Sequence, residues 1–319
     1  MKRTILFFSL FIVTFSSAQL FDDLKNVLAA TAEDAQTLAD AYISPVGQSL
    51  TYGLNTGWAS SAKTHKKLGF DLTIGTALPS VPDAAKSFNT SNLGLKQLTP
   101  SAPTASTVFG SKNTATFTEN ITNTSVKLPG FENELVMNSL PMPYLQAGVG
   151  LFFDTDIIVR YVPKTKIKGL EFDALGVGVK HNLMQYFGLL DKLPLNVSAL
   201  ASFTKLNGNY QLNNAKPDQK VDLGVDTFMV QALASLDFPI ISVVGGFGYG
   251  KGDASIQLLG DYSTEYPGTS KDPLKVEDTY TGTHAMIGVR ANLAFIKLFA
   301  NYTLQKFNTL NAGISFSFR

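Results

Sequence analysis

The chain has 319 residues, with 26 Lys and Arg against 25 Asp and Glu, three His and no Cys. Charged residues make up only 16%, against roughly 25% for an ordinary soluble domain, and 23 Phe with 11 Tyr exclude disorder driven by charge. A net charge of +1 argues against a nucleic-acid binder, and the lack of Cys excludes disulfides, thiolate metal sites and a Cys nucleophile.

The first segment, 1–18, reads as a secretory signal peptide. Lys2 and Arg3 form a positive start, Ile5 to Phe15 is apolar, and Ser16-Ser17-Ala18 supplies small residues for cleavage near Ala18. The apolar core is too short for a membrane anchor, and no Cys follows to carry a lipid. Cleavage takes the formal charge from +1 to −1, because Lys2 and Arg3 are the only charges removed. The best later candidate for a spanning helix, Leu135 to Phe153, is interrupted by Asn138, Pro141, Pro143 and Gln146. An exported chain without such a helix is either a soluble periplasmic or secreted protein or a β-barrel.

Residues 19–66 come next. Leu20, Leu24, Val27, Leu28, Ala35, Leu38, Ala41 and Tyr42 recur at three- and four-residue steps, with Asp22 and Asp23 in the first turn. This predicts an amphipathic helix from Leu20 to Ser44, stopped by Pro45. Its polar face has acids and few bases, which suits packing on the rest of the protein better than lying on a membrane.

From about Gly69 the period becomes two. Phe70, Leu72, Ile74 and Leu78 alternate with Asp71, Thr73, Gly75 and Ala77. The same rhythm returns around Ala147, Leu175, Leu195, Ile287 and Ala312. One face is aliphatic or aromatic, and the other is Gly, Ser, Asn, Thr or an isolated charge. A soluble sandwich also alternates, but its outer face favours Lys, Glu, Thr and Arg. A Gly and Ser face suits a lumen, with the apolar face turned to lipid.

Residues 67–319 therefore predict an all-β fold: a transmembrane antiparallel β-barrel of about 10–14 strands with an N-terminal helical plug segment. Long polar connections are expected at 79–105, 119–140 and 260–277, and tight turns at Asp154-Thr155 and Ala294 to Lys297. Asn182 to Leu193 reads as a short amphipathic helix at one mouth. The last strand, Leu310 to Arg319, ends in Phe316, Phe318 and Arg319, a terminal aromatic pattern read by the barrel-insertion machinery.

The stretch Tyr42 to Leu72 carries Y-x-x-P, then L-N-x-G-W, then A-x-x-H-K-x-x-G-F-D-L. With Gly169 to Leu183 and Leu193 to Ala201, it resembles a family of uncharacterised outer-membrane β-barrels of Bacteroidota. In layout the chain is similar to the outer-membrane long-chain fatty-acid transporters, whose N-terminal segment plugs the lumen. The resemblance implies an outer-membrane location after Sec export, and no binding residues carry over.

Candidate plug and lumen residues are Asn55, Gly57, Trp58, His65, Gly246, Gly248, Gly250, His284 and Arg290. Gly246, Gly248, Gly250 and Gly252 fall on one face of one strand. With Gly148, Gly150, Gly176 and Gly178 they either seat the plug or let the strands bend. His284 and Arg290 either steer an anionic cargo or form solvated lumen pairs. His65, beside three lysines, either orients the plug or lies on the surface. Trp58 is the only Trp, which suits a packing anchor better than a girdle. The G-x-S-x-G, H-E-x-x-H and P-loop patterns are missing, so no catalytic residues, metal or cofactors are expected. A hydrolase would require His181 beside Ser198 or Ser202. The expected role is passive passage of a small hydrophobic molecule through a plugged, monomeric barrel in a lipid bilayer. The alternative is a non-transporting barrel whose long loops bind a partner.

Overall fold

In the computed structural model, residues 22–132, 139–167, 169–187, 194–212, 215–263 and 269–318 are described. The expected signal peptide at 1–18, residues 188–193 of the expected mouth helix and Arg319 lie outside them. Ten long strands, labelled in chain order, are β1 Phe70–Pro79, β2 Met142–Gly150, β3 Thr155–Ile167, β4 Leu170–Asn182 and β5 Leu195–Gln211, followed by β6 Lys220–Asp237, β7 Ile241–Leu259, β8 Leu274–Leu293, β9 Ile296–Leu304 and β10 Thr309–Phe318. Each pairs antiparallel with its chain neighbours, and β10 pairs with β1 to close the barrel. That seam runs over ten residue pairs, from Phe70 opposite Phe318 to Pro79 opposite Thr309.

The two mouths differ. At one, strands are joined by short links, including a turn in which Phe153 and Asp154 both have positive φ. Such turns match the twist of the paired strands. The other mouth carries the long connections. The loops expected at 79–105 and 119–140 are one insertion between β1 and β2. Its described part holds a two-stranded sheet, Ser87–Asn89 with Thr104–Ser106, and a three-stranded sheet, Leu98–Pro100, Thr116–Glu119 and Ser125–Lys127. The expected helix after Asn182 is, within the described residues, a single 3₁₀ turn, Met184–Tyr186.

The strand faces overturn one expectation. In β6, Phe228, Val230, Ala232, Ala234 and Leu236 point outward, while Val221, Leu223 and Val225 point inward and are buried. The apolar residues switch parity at Thr227 with no register break in the pairing on either side. β7 switches between Tyr249 and Ala254, β5 between Phe203 and Leu206, and β8 between Val276 and Ile287. Below the switch the outer face is apolar; above it the outer face carries Lys205, Asp226, Lys251, Asp253 and Glu277. The apolar part, such as Leu195 to Phe203, covers nine residues, about 23 Å along the normal at a tilt near 40°, the height of a lipid belt. Exposed Phe70, Phe153, Phe295 and Phe318 fringe it at the short-turn mouth, and Tyr161, Phe203, Phe228 and Tyr249 at the other limit. These are the two aromatic girdles of a membrane barrel. β5 to β8 thus rise well beyond the belt as a wall with an apolar inner face.

The helix α1, Ala32–Leu54, leans on that wall. It does not stop at Pro45, which lies inside it. An interior Pro costs about 3 kcal/mol. Burial of Tyr42, Ile43, Val46 and Leu50 offsets that cost, because each buried side chain of this size contributes about 1.5–3 kcal/mol. The helix begins at Thr31, whose hydroxyl accepts from the Asp34 amide. A 3₁₀ helix, Asp22–Ala29, precedes it and packs on Ser125–Lys127 of the insertion. Wall, helix and insertion share one core, with Val27, Leu38, Phe109, Phe117, Val221 and Leu258 all buried in it. This is a folded head standing above the belt.

Candidate functional site

α1 and the segment after it descend toward the short-turn mouth. Their contacts follow in order. Gln36 binds the Lys275 carbonyl at 2.8 Å near the top of β8. Ser44 hydroxyl donates to Asp278 at 2.9 Å. Thr51 lies on Gly252, and Asn55 Nδ2 donates to the Lys251 carbonyl at 3.3 Å. Ser61 hydroxyl donates to Asp237 at 2.9 Å near the lower rim, and the backbone of His65 and Lys66 lies against Gly150 at the mouth. Residues 55–66 are therefore a strand of plug threaded through the belt, with the helix above it.

The glycines divide into two groups. A Cβ at Gly250 would stand 2.8 Å from Asn55 Nδ2, and one at Gly176 would stand 2.9 Å from the Trp58 ring. Gly178 also faces that ring, and Gly150 faces His65 and Lys66. These positions let the plug approach the wall backbone, whereas a Cβ at Gly148 would first meet the Asp71 side chain of the wall. Gly246 and Gly248 serve the wall itself: a Cβ at Gly248 would stand 2.7 Å from His284 Nε2, and one at Gly246 2.8 Å from Gln231 Nε2. Gly57 combines a positive φ of 74° with close approach to Tyr144 and Asn311, so a side chain there is strained and also clashes.

Trp58 and Arg160 fill the middle of the lumen. Both are 2% exposed. The guanidinium lies 4.2 Å from the Trp58 ring centre and 4.1 Å from that of Tyr144. It donates to the carbonyls of Leu54 at 3.2 Å and Thr56 at 2.9 Å, and to Gln146 Oε1. Leu54 ends α1, so the cation sits at the negative end of the helix dipole, and the Leu54 carbonyl also accepts from Trp58 Nε1 at 3.1 Å. Gln146 in turn donates to the Trp58 carbonyl at 3.2 Å. Below this clasp, Trp58, Ala62, Leu200, Met229 and Leu233 form a small apolar cluster.

A charged collar closes the lower mouth. Asp156, 1% exposed, accepts from the His65 amide at 2.9 Å and lies 3.1 Å from both His65 Nδ1 and Lys180 Nζ. Lys180 donates to the Lys63 carbonyl at 2.8 Å, and the Ser198 hydroxyl donates to the Ala62 carbonyl. Arg290 pairs with Asp237 at 3.1 Å, and its charge is thereby matched. His284 is buried in the wall. His181 faces outward beside Thr155 and Tyr186, whereas Ser198 and Ser202 face inward, so strand parity separates them.

Arg160, Asp156, Lys180 and Asp237 carry the seat of the plug and were not singled out from the sequence. Their signal was a charge on the Gly and Ser face of a strand, at the same parity as the glycines.

A closed, even-stranded antiparallel barrel with an apolar outer belt and aromatic girdles is a β-barrel of the outer-membrane type. The model of the family of unknown function DUF6588 matches residues 1–318, and the chain belongs to that family. No curated protein matches it. Among solved structures, the attachment invasion locus protein Ail of Yersinia pestis is 10% identical, with 79% of this chain and 100% of that chain covered and a TM-score of 0.29. The translocator domain of the autotransporter NalP from Neisseria meningitidis is 9% identical, covering 88% and 99%, with a TM-score of 0.35. The toluene transporter TodX of P. putida is 9% identical, covering 84% and 94%, with a TM-score of 0.21. At these scores none of them lends this chain a function.

Proposed function

We propose that this protein is a sealed outer-membrane barrel that carries a folded head at the cell surface, and that it works by binding through the head. One observation carries the reading. The parity switch in β5 to β8 builds a wall beyond the lipid belt, whose apolar inner face shares a core with α1 and the insertion. Open passage of a solute would need no such head. Short turns face the periplasm and long loops the outside in barrels of this type, so the insertion is extracellular in this reading.

Passive passage of a hydrophobic molecule, the expectation from layout, requires the plug to leave. Trp58 and Arg160 occupy the lumen centre, and the β1–β10 seam is paired along its length. The plug is held by at least six hydrogen bonds to the wall between Asn55 and His65.

The test is reconstitution of the mature chain in planar bilayers and in liposomes. The expected outcome is no steady ion conductance and no solute-dependent swelling. In whole cells, external protease should reach the insertion. Steady conductance from the intact protein, or uptake of a hydrophobic solute that the empty liposome excludes, overturns the sealed reading.

A further inference from the structure

The outer wall carries a depression that the plugged lumen does not explain. Strand pairing arranges the outward residues of β5, β6, β7 and β8 in rows. From the middle of the belt upward these are Ala199–Ala232–Phe247–Ala285, Ala201–Val230–Tyr249–Thr283, Phe203–Phe228–Lys251–Thr281, Lys205–Asp226–Asp253–Thr279 and Asn207–Gly224–Ser255–Glu277. The first two rows, apart from Ala285, line an apolar groove of about 570 Å³. The last two line a polar depression of about 410 Å³. A single row separates them, at the upper limit of the belt. The two form one amphipathic track up the same four strands.

Two further features mark the polar part. Gly224 has ordinary backbone, and a Cβ built on it meets nothing within 4 Å. Glycine in a strand interior weakens the strand, and where the backbone does not require it, it marks a place where another molecule comes close. The Asp226 carboxylate is 46% exposed on this face, 3.9 Å from Lys205 Nζ, and its Oδ1 has no hydrogen-bond partner among the described residues. The three outward carboxylates, Asp226, Asp253 and Glu277, each lie beside a lysine, at 3.9 Å from Lys205, 3.0 Å from Lys251 and 2.8 Å from Lys275. A surface of matched pairs carries little net charge to attract a phosphate and offers both donors and acceptors to hydroxyl groups.

We propose that this track holds one glycolipid of the outer leaflet, its acyl chain along the Ala199, Ala201 and Ala232 groove and its sugar over Gly224 against Asp226 and Asp253. The occupant follows from continuity: the lower groove lies within the lipid belt, so what fills it is a bilayer chain, and the head of that chain emerges at Lys251.

The test uses the full mature chain in nanodiscs of phosphatidylethanolamine doped with either glucosyl-diacylglycerol or phosphatidylglycerol, with retained lipid counted by native mass spectrometry. One glucosyl-diacylglycerol should be retained preferentially over phosphatidylglycerol. Gly224→Trp should weaken its retention ~10-fold, equivalent to roughly 1.4 kcal/mol. Ala201→Phe, which narrows the acyl groove, should do the same. Heat-modifiable migration on gels shows that each variant has folded, and Lys220→Gln, beyond the track, is the control. Equal retention of both lipids, or retention unchanged in folded Gly224→Trp and Ala201→Phe, overturns the site. So does occupation of the track by a second copy of the chain in place of lipid.

Discussion

Replacing Trp58 with Ala probes the seal at its centre. The ring lies on Gly176 and Gly178, is 2% exposed, and forms one side of the Arg160 clasp. Glycines cannot move inward to fill the space it leaves, so the cavity stays. Truncating a fully buried Trp costs about 3–5 kcal/mol, and loss of a desolvated cation–π contact on Arg160 accounts for up to about 2 kcal/mol of that. The barrel hydrogen-bond ladder does not pass through Trp58, so the cost falls on the docking of residues 55–66. A loss of about 4 kcal/mol changes the docked-to-undocked ratio roughly a thousand-fold. Two measurements read this. Single-channel recording should show brief openings that the wild-type protein lacks, and hydrogen exchange at 55–66 should quicken while the barrel strands stay protected. If the variant stays silent and its plug amides remain as protected as wild type, the seal does not rest on Trp58.

Three more expectations follow from neighbouring contacts. Arg160→Met keeps the bulk but leaves the Thr56 carbonyl without its donor and the Leu54 carbonyl with Trp58 Nε1 alone; at about 1–3 kcal/mol for a buried group left unpaired, protease added from the periplasmic side should nick 55–66 faster. Asp34, 1% exposed, accepts from the amides of Lys96, Gln97 and Leu98, so Asp34→Ala should release the insertion from α1, seen as faster cleavage of 80–132 on intact cells than in the wild type, with conductance unchanged. Lys86 bridges Glu132 at 2.8 Å and Asp83 at 2.9 Å, and hydrogen bonds to both carboxylates raise its pKa above the ordinary 10.5. A raised cation pKa stabilises the fold fully below the unfolded value and is lost as pH climbs through the folded one. Protection of the insertion should therefore fall above pH 10.5, and Lys86→Met should remove that alkaline step; an identical step in the variant assigns it to another group.

Much of this architecture was legible in the chain. The lipid-facing halves of β1, β5, β8 and β10 alternate with period two, because one face meets hydrocarbon and the other a packed polar lumen. The run of plug residues before Phe70, with Gly57 and Trp58 in it, also stood apart from the strands. Pro45 misled, because a proline breaks a helix only when nothing repays its cost, and the wall and insertion bury both sides of it. Arg160 went unnoticed because its role depends on α1 ending beside it, 106 residues away in sequence.

The sequence by itself determined the class: alternation, Gly-rich faces and uncharged apolar strands leave few other ways to satisfy every backbone group in lipid. Tertiary structure decided where the belt ends and what fills the barrel. The parity switch at Thr227 looks locally like noise in one strand, and becomes a boundary only when β5, β6, β7 and β8 switch at adjoining levels. Likewise, a glycine on an inward face is equally consistent with a bend, an empty lumen or a seat. Only the position of the other chain segment, Trp58 on Gly176 and Gly178 or Asn55 on Gly250, separates these, because a missing side chain records room for a neighbour without recording which neighbour uses it.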